Sequence, residues 1–206
     1  MQALLRLSRG IDALNELVGK LVLWLVLAAV LISAANAVIR KAFNISSNAF
    51  LEIQWYLFAG VFMLGAGYTL LRNAHVRIDF VSQRLSRRSN AIIDILGLVL
   101  VLMPLAVLMI DLSWPLFMRA WISGEVSGNA GGLIRWPVLL LIPAGFALLL
   151  LQAVSELIKR IAFLRGALPE PFSVESEKSD AERLAEELAA VAEAPQTQTH
   201  KPARDE

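Results

Sequence analysis

Hydrophobic and polar positions along this chain are sorted into blocks. Four apolar stretches, at roughly 17–39, 50–71, 91–112 and 133–158, are separated by short polar segments. Each has about 20 residues or more, the length a helix needs to cross a hydrocarbon core. Their apolar residues run continuously instead of alternating, which argues against the short spans of a barrel. The pattern predicts an all-α membrane protein with four transmembrane helices in a domain covering 17–165. Upstream, Leu4, Leu5, Leu7, Ile11, Leu14 and Leu17 recur every one to four residues among Arg6, Arg9, Asp12 and Glu16. That spacing predicts an amphipathic helix over 1–16, lying on the membrane surface with its arginines among anionic head groups. From Gly166 onward the composition changes to Pro169, Pro171 and a run of glutamates. Residues 166–206 therefore read as a disordered acidic tail, with at most a transient helix over 181–192.

The connections follow from the same pattern. The segment 40–49 is short, so the first two spans form an antiparallel hairpin. The segment 72–90 carries five arginines. The segment 113–135 holds Gly124, Gly128, Gly131 and Gly132, with Trp114, Trp121 and Trp136 in or beside it, and reads as a flexible turn between interfacial aromatic anchors. Pro104 and Pro143 fall inside the third and fourth spans, where each removes a backbone donor and predicts a kink.

Charge sets the orientation. The net charge is only +1, but Lys and Arg near the spans are unevenly divided. Arg6, Arg9, Lys20, Arg72, Arg77, Arg84, Arg87, Arg88, Lys159, Arg160 and Arg165 fall on one side, and Arg40, Lys41, Arg119 and Arg135 on the other. The richer side is expected to be cytoplasmic, and with it both termini. Ala35-Asn36-Ala37 imitates a signal-peptide cleavage site, yet the apolar run continues to Ile39 after a long leader, so the first span is read as retained. The chain has no cysteine, which excludes disulfides, thiolate metal sites and thiol nucleophiles.

Candidate chemistry is sparse. The span centres carry no Asp, Glu, Lys, Arg or His, whereas proton relays and ion-coupled carriers usually keep one there. Lys20, Glu52, Asp94, Asp111 and Glu156 lie near span ends; Lys20, Asp94 and Asp111 read as solvated at head-group level. His75 and His200 cannot bracket a haem within one bilayer, and His75 alone reads as a hydrogen-bonding loop residue. No catalytic, substrate-binding or metal-ligating residue is assigned, no cofactor is expected, and nothing points to nucleic acid. The second span is more informative. Glu52, Tyr56, Gly60, Met63 and Gly67 follow at helical spacing, and Ala59, Gly60, Gly65, Ala66 and Gly67 would let another helix approach closely. The approaching helix could belong to a partner or to this chain. Gln152 and Glu156, one turn apart, form a polar ridge on the fourth span.

Three segments together resemble a known family. They are Glu52-x-Gln54-x-Tyr56; the run from Gly65 to Tyr68 with Asn73, His75, Val76, Arg77 and Asp79; and Gly132-Leu133-x-Arg135-Trp136-Pro137 with Gln152. This set resembles the small membrane subunit of tripartite ATP-independent periplasmic (TRAP) transporters over roughly residues 10–165. The tail from Gly166 is longer than the family pattern. The resemblance implies a large multi-span membrane subunit that carries the substrate and sodium sites and moves by an elevator motion. It also implies a periplasmic solute-binding protein delivering a substrate, often an organic acid. The small subunit would pack beside the large one among membrane lipids and widen its fixed scaffold. Glu52, Gln54 and Tyr56 at one surface, and Asn73, His75, Arg77 and Asp79 at the other, would then be partner-contact or loop-shaping residues. A stand-alone homo-oligomeric transporter or channel is the alternative, and would want a charged residue facing a pore at mid-span.

Overall fold

A computed structural model describes residues 2–43, 48–72, 86–129 and 131–168. The tail beyond residue 168, Asn73, His75, Arg77 and Asp79 lie outside the described residues.

The leader and the first span are one element. Helix α1 runs unbroken over Gln2–Phe43, 42 residues, because nothing between them breaks the backbone: there is no proline, and its glycines are isolated. The helical leader is thus present, but residue 16 marks no joint. Its faces are also informative. Leu4, Leu7, Leu14 and Leu17 are exposed, whereas Ser8, Ile11 and Asn15 are buried. One polar stripe, Ser8, Asp12 and Asn15, turns inward to hydrogen-bonding partners, while the outward face mixes leucines with Arg6 and Arg9.

Helix α2 covers Asn48–Leu71. The third span has three parts: α3 (Arg87–Gly97), a π-helical turn (Leu98–Leu102) and α4 (Met103–Ser123). Ser86 caps α3 by accepting from the Ser89 N–H at 3.2 Å. The π-turn ends with the Met103 N–H donating to the Leu98 carbonyl, five residues back, immediately before Pro104. The wider turn thus sits where the proline withholds a regular backbone donor. Helix α4 continues well past the apolar block. Trp114 and Trp121, expected in a turn, are helical, and Pro115 is inside the helix. Asp111, expected at the rim of the span, is therefore three turns from the helix end.

Helix α5, Trp136–Leu164, is the hub. It packs against α1, α2, α3 and α4, while among the described helices α4 packs closely on α5 alone. A third of its apolar window is buried (33%), against 11% for each other span. Helix α2 lies against both α1 and α5. At Gly145, a Cβ would sit 2.5 Å from the Met63 carbonyl oxygen, so only glycine permits this approach of α5 to the α2 backbone. The helix stops at a left-handed Gly166, φ 70°, with the Ala167 N–H bonded to the Ala162 carbonyl at 2.9 Å.

The connection from α4 to α5, expected as a flexible turn, is a small antiparallel hairpin. Val126 bridges Ile134, the Ser127 N–H donates to the Leu133 carbonyl at 2.8 Å, and the Arg135 N–H donates to the Glu125 carbonyl at 2.9 Å.

Candidate functional site

Polar residues gather at the two ends of the bundle, termed here the N-terminal end, after residues 2–16, and the hairpin end.

At the N-terminal end, α1 and α5 are joined by a chain of side-chain bonds. Ser8 Oγ lies 2.7 Å from Ser155 Oγ, which also donates to Asp12 Oδ1 at 2.7 Å. Asn15 Nδ2 donates to Gln152 Oε1 at 2.9 Å, while Gln152 Nε2 donates to Asp12 Oδ1 at 2.9 Å and Glu156 Oε1 at 3.2 Å. Lys159 Nζ sits between Asp12 (3.1 Å) and Glu156 (2.5 Å). Arg160 pairs with Glu156 Oε2 at 2.5 Å and reaches Asp94 Oδ2 on α3 at 3.4 Å. Asn15, Gln152, Ser155, Glu156 and Arg160 are buried. Isolated charges would be costly at this depth; here each carboxylate faces a cation or an amide donor, which makes burial tolerable. Nearer the surface, Glu16 pairs with Lys20 at 3.2 Å and Arg72 at 3.7 Å.

The sequence signalled only Gln152 and Glu156. Ser8, Asp12 and Asn15 recur at spacings of four and three, as do Gln152, Ser155 or Glu156, and Lys159, so two polar stripes at helical spacing were present. In the leader that stripe reads equally well as a solvated face. Asp94, expected to be solvated, is an ion-pair partner instead.

At the hairpin end the buried Glu52 carboxylate holds the loop. It accepts from Ser127 Oγ at 2.5 Å, Asn129 Nδ2 at 2.7 Å and the Leu133 N–H at 2.7 Å. One turn along α2, Tyr56 donates from its hydroxyl to the Ile134 carbonyl at 3.2 Å. Arg135 pairs with Glu125 across the hairpin, and Trp136 meets Trp121 edge to face with ring centroids 4.7 Å apart. Glu52, Tyr56, Arg135 and Trp136, far apart in sequence, thus brace one structure. Gln54 lies apart from it, lining an open cleft of about 490 Å³ with Ser33, Asn36, Ala37, Arg40 and Lys41.

The small-residue face of α2 is turned toward this chain's own helices. A Cβ at Gly60 would lie 3.2 Å from Leu25 of α1 and 3.8 Å from Leu141 of α5; at Gly65 it would touch Val22 at 3.9 Å. At Gly67 it would overlap the Asn15 side-chain oxygen and lie 3.3 Å from the Leu148 carbonyl. That Asn15 oxygen is buried without a hydrogen-bond partner, so the glycine makes room for the amide whose other end holds Gln152.

Among the described residues no group of three His, Asp or Glu could hold a metal ion. The polar residues at both ends brace helices and a loop. No curated protein and no solved structure matches this chain. Residues 29–163, well over half the chain, match the family model described as "Tripartite ATP-independent periplasmic transporters, DctQ component", a match that starts downstream of the leader and takes in α2 through nearly all of α5. The chain belongs to this family and is the small membrane subunit of a TRAP transporter.

Proposed function

We propose that this subunit is a rigid membrane scaffold that holds the large subunit in register while that subunit moves substrate. The observation that carries this reading is the internal bracing. Buried polar groups at the N-terminal end tie α1 to α5, and Glu52 with Tyr56 ties α2 to the hairpin, so both ends of the three-helix unit are fixed by this chain itself. A moving transport domain needs such a fixed reference. Substrate and sodium would bind on the large subunit, with an organic acid delivered by a periplasmic binding protein and import driven by the sodium gradient. Both termini would be cytoplasmic, in a bacterial inner membrane, as the excess of Lys and Arg at the N-terminal end supports.

Reconstitution tests this. Liposomes holding both membrane subunits and supplied with the binding protein should accumulate organic acid when a sodium gradient is imposed, and omission of this chain should abolish uptake. Sodium-independent uptake by this chain alone would overturn the scaffold reading in favour of a homo-oligomeric transporter or channel.

A further inference from the structure

The third span carries a carboxylate that the other described residues leave uncovered. The Trp121–Trp136 pair marks one aromatic belt, and the Asp94–Arg160 pair marks the opposite polar level. Asp111 precedes Trp121 by ten residues, about 15 Å along a helix, and follows Asp94 by seventeen, about 25 Å. It therefore lies between the two polar levels, on a stretch of helix lined by apolar residues. Its side chain is exposed, and among the described residues none donates to it. Pro115, four residues on, has no N–H to give the Asp111 backbone carbonyl, so a second acceptor at the same depth lacks its regular helical donor. Beside Asp111, Val99, Met103, Pro104, Val107 and Leu108 line an open cleft of about 580 Å³ along one side of the π-turn and α4. Among the described helices α4 packs closely only on α5, and this cleft is lined by no residue of α1, α2 or α5.

Lipid tails offer no donor to a carboxylate, and charged side chains inside membranes are kept where something pairs with them. The geometry points to this face as the docking surface for a transmembrane helix of the large subunit, with a hydrogen-bond donor or cation opposite Asp111 and apolar side chains in the cleft. The inference rests on the scaffold reading above. A second copy of this chain is the poorer occupant, since a two-fold contact through the face would set one Asp111 carboxylate against the other.

The test uses the assembled transporter in native membranes. Photo-crosslinking residues are placed singly at Val107 and Leu108 beside Asp111, with Leu23 and Phe62 as exposed controls on α1 and α2. The expected result is adducts to the large subunit from positions 107 and 108. Asp111→Leu should lower recovery of the large subunit with the tagged chain by about tenfold. Asp111→Asn, which keeps an acceptor, should retain more of it, and the purified Asp111→Leu chain should remain monodisperse. If the wild-type chain recovers the large subunit but adducts form only at the control positions, or join two copies of this chain, the docking face is wrong while the scaffold reading stands. If the wild-type chain recovers no multi-span partner, both fail.

Discussion

The side of the bundle built from α1, α2 and α5 and the side built from α4 treat charge differently. On the first, Asp12, Glu156, Lys159 and Arg160 meet one another, and Glu52 is filled by three donors. On the second, Asp111 lies between the two polar levels with no donor among the described residues. One side pairs its carboxylates within the chain, and the other leaves its carboxylate to a partner packed against it. The same residue type can thus serve internal stability or external assembly, and what separates the two is whether a donor from the same chain lies opposite.

The contrast is broken most severely at Glu156. Glu156→Ala leaves Arg160 and Lys159 without their shared carboxylate, and removing one member of a buried pair should cost about 3 kcal/mol. Thermal unfolding of the purified chain in detergent measures this; a loss below about 1 kcal/mol would mean the network adds little to helix association. Next comes Gly145→Ala, which drives a methyl group into the Met63 carbonyl of α2 and should cost about 2 kcal/mol by the same assay. Glu52→Ala acts locally. It strips acceptors from Ser127, Asn129 and the Leu133 N–H, so hydrogen exchange at Leu133 should accelerate roughly tenfold while α5 protection is kept. Uniform loss of protection would show instead that the hairpin and helices melt as one. The smallest effect is expected at Asp111→Leu. In the isolated chain it should shift stability by no more than about 0.5 kcal/mol, because no hydrogen bond or ion pair among the described residues is lost. A large destabilisation of the isolated chain would place Asp111 among the internal braces and erase the difference between the two sides.

Much of this fold was legible in the sequence, and so was part of the site. Glu52, Tyr56, Arg135, Trp136 and Gln152 stood out as polar or aromatic residues in or beside apolar blocks, and the structure gives each a bonding or stacking partner. Their partners were much less visible. Ser127 and Asn129 look like ordinary turn residues, and Asp12 and Asn15 look like part of a solvated leader face. The end of the third span was misplaced because hydropathy falls at Ser113, yet backbone bonding and the Trp114, Phe117 and Trp121 ring contacts carry the helix to Ser123. That misplacement put Asp111 at the end of the span, whereas the helix runs on for twelve residues beyond it.

By itself the sequence determined the four apolar spans, the helical class, the absence of thiol chemistry and the motifs that mark the family. A bilayer requires about 20 apolar residues per helix and internal satisfaction of every backbone group, and both requirements act on contiguous residues. Only the tertiary structure decided which way each helix is rotated: that Gly60 and Gly67 of α2 face α1 and α5, that the leader's polar stripe meets α5, and that Asp111 is left outside. Rotational phase depends on how side chains from distant segments fit together, and no single stretch of the chain contains that information.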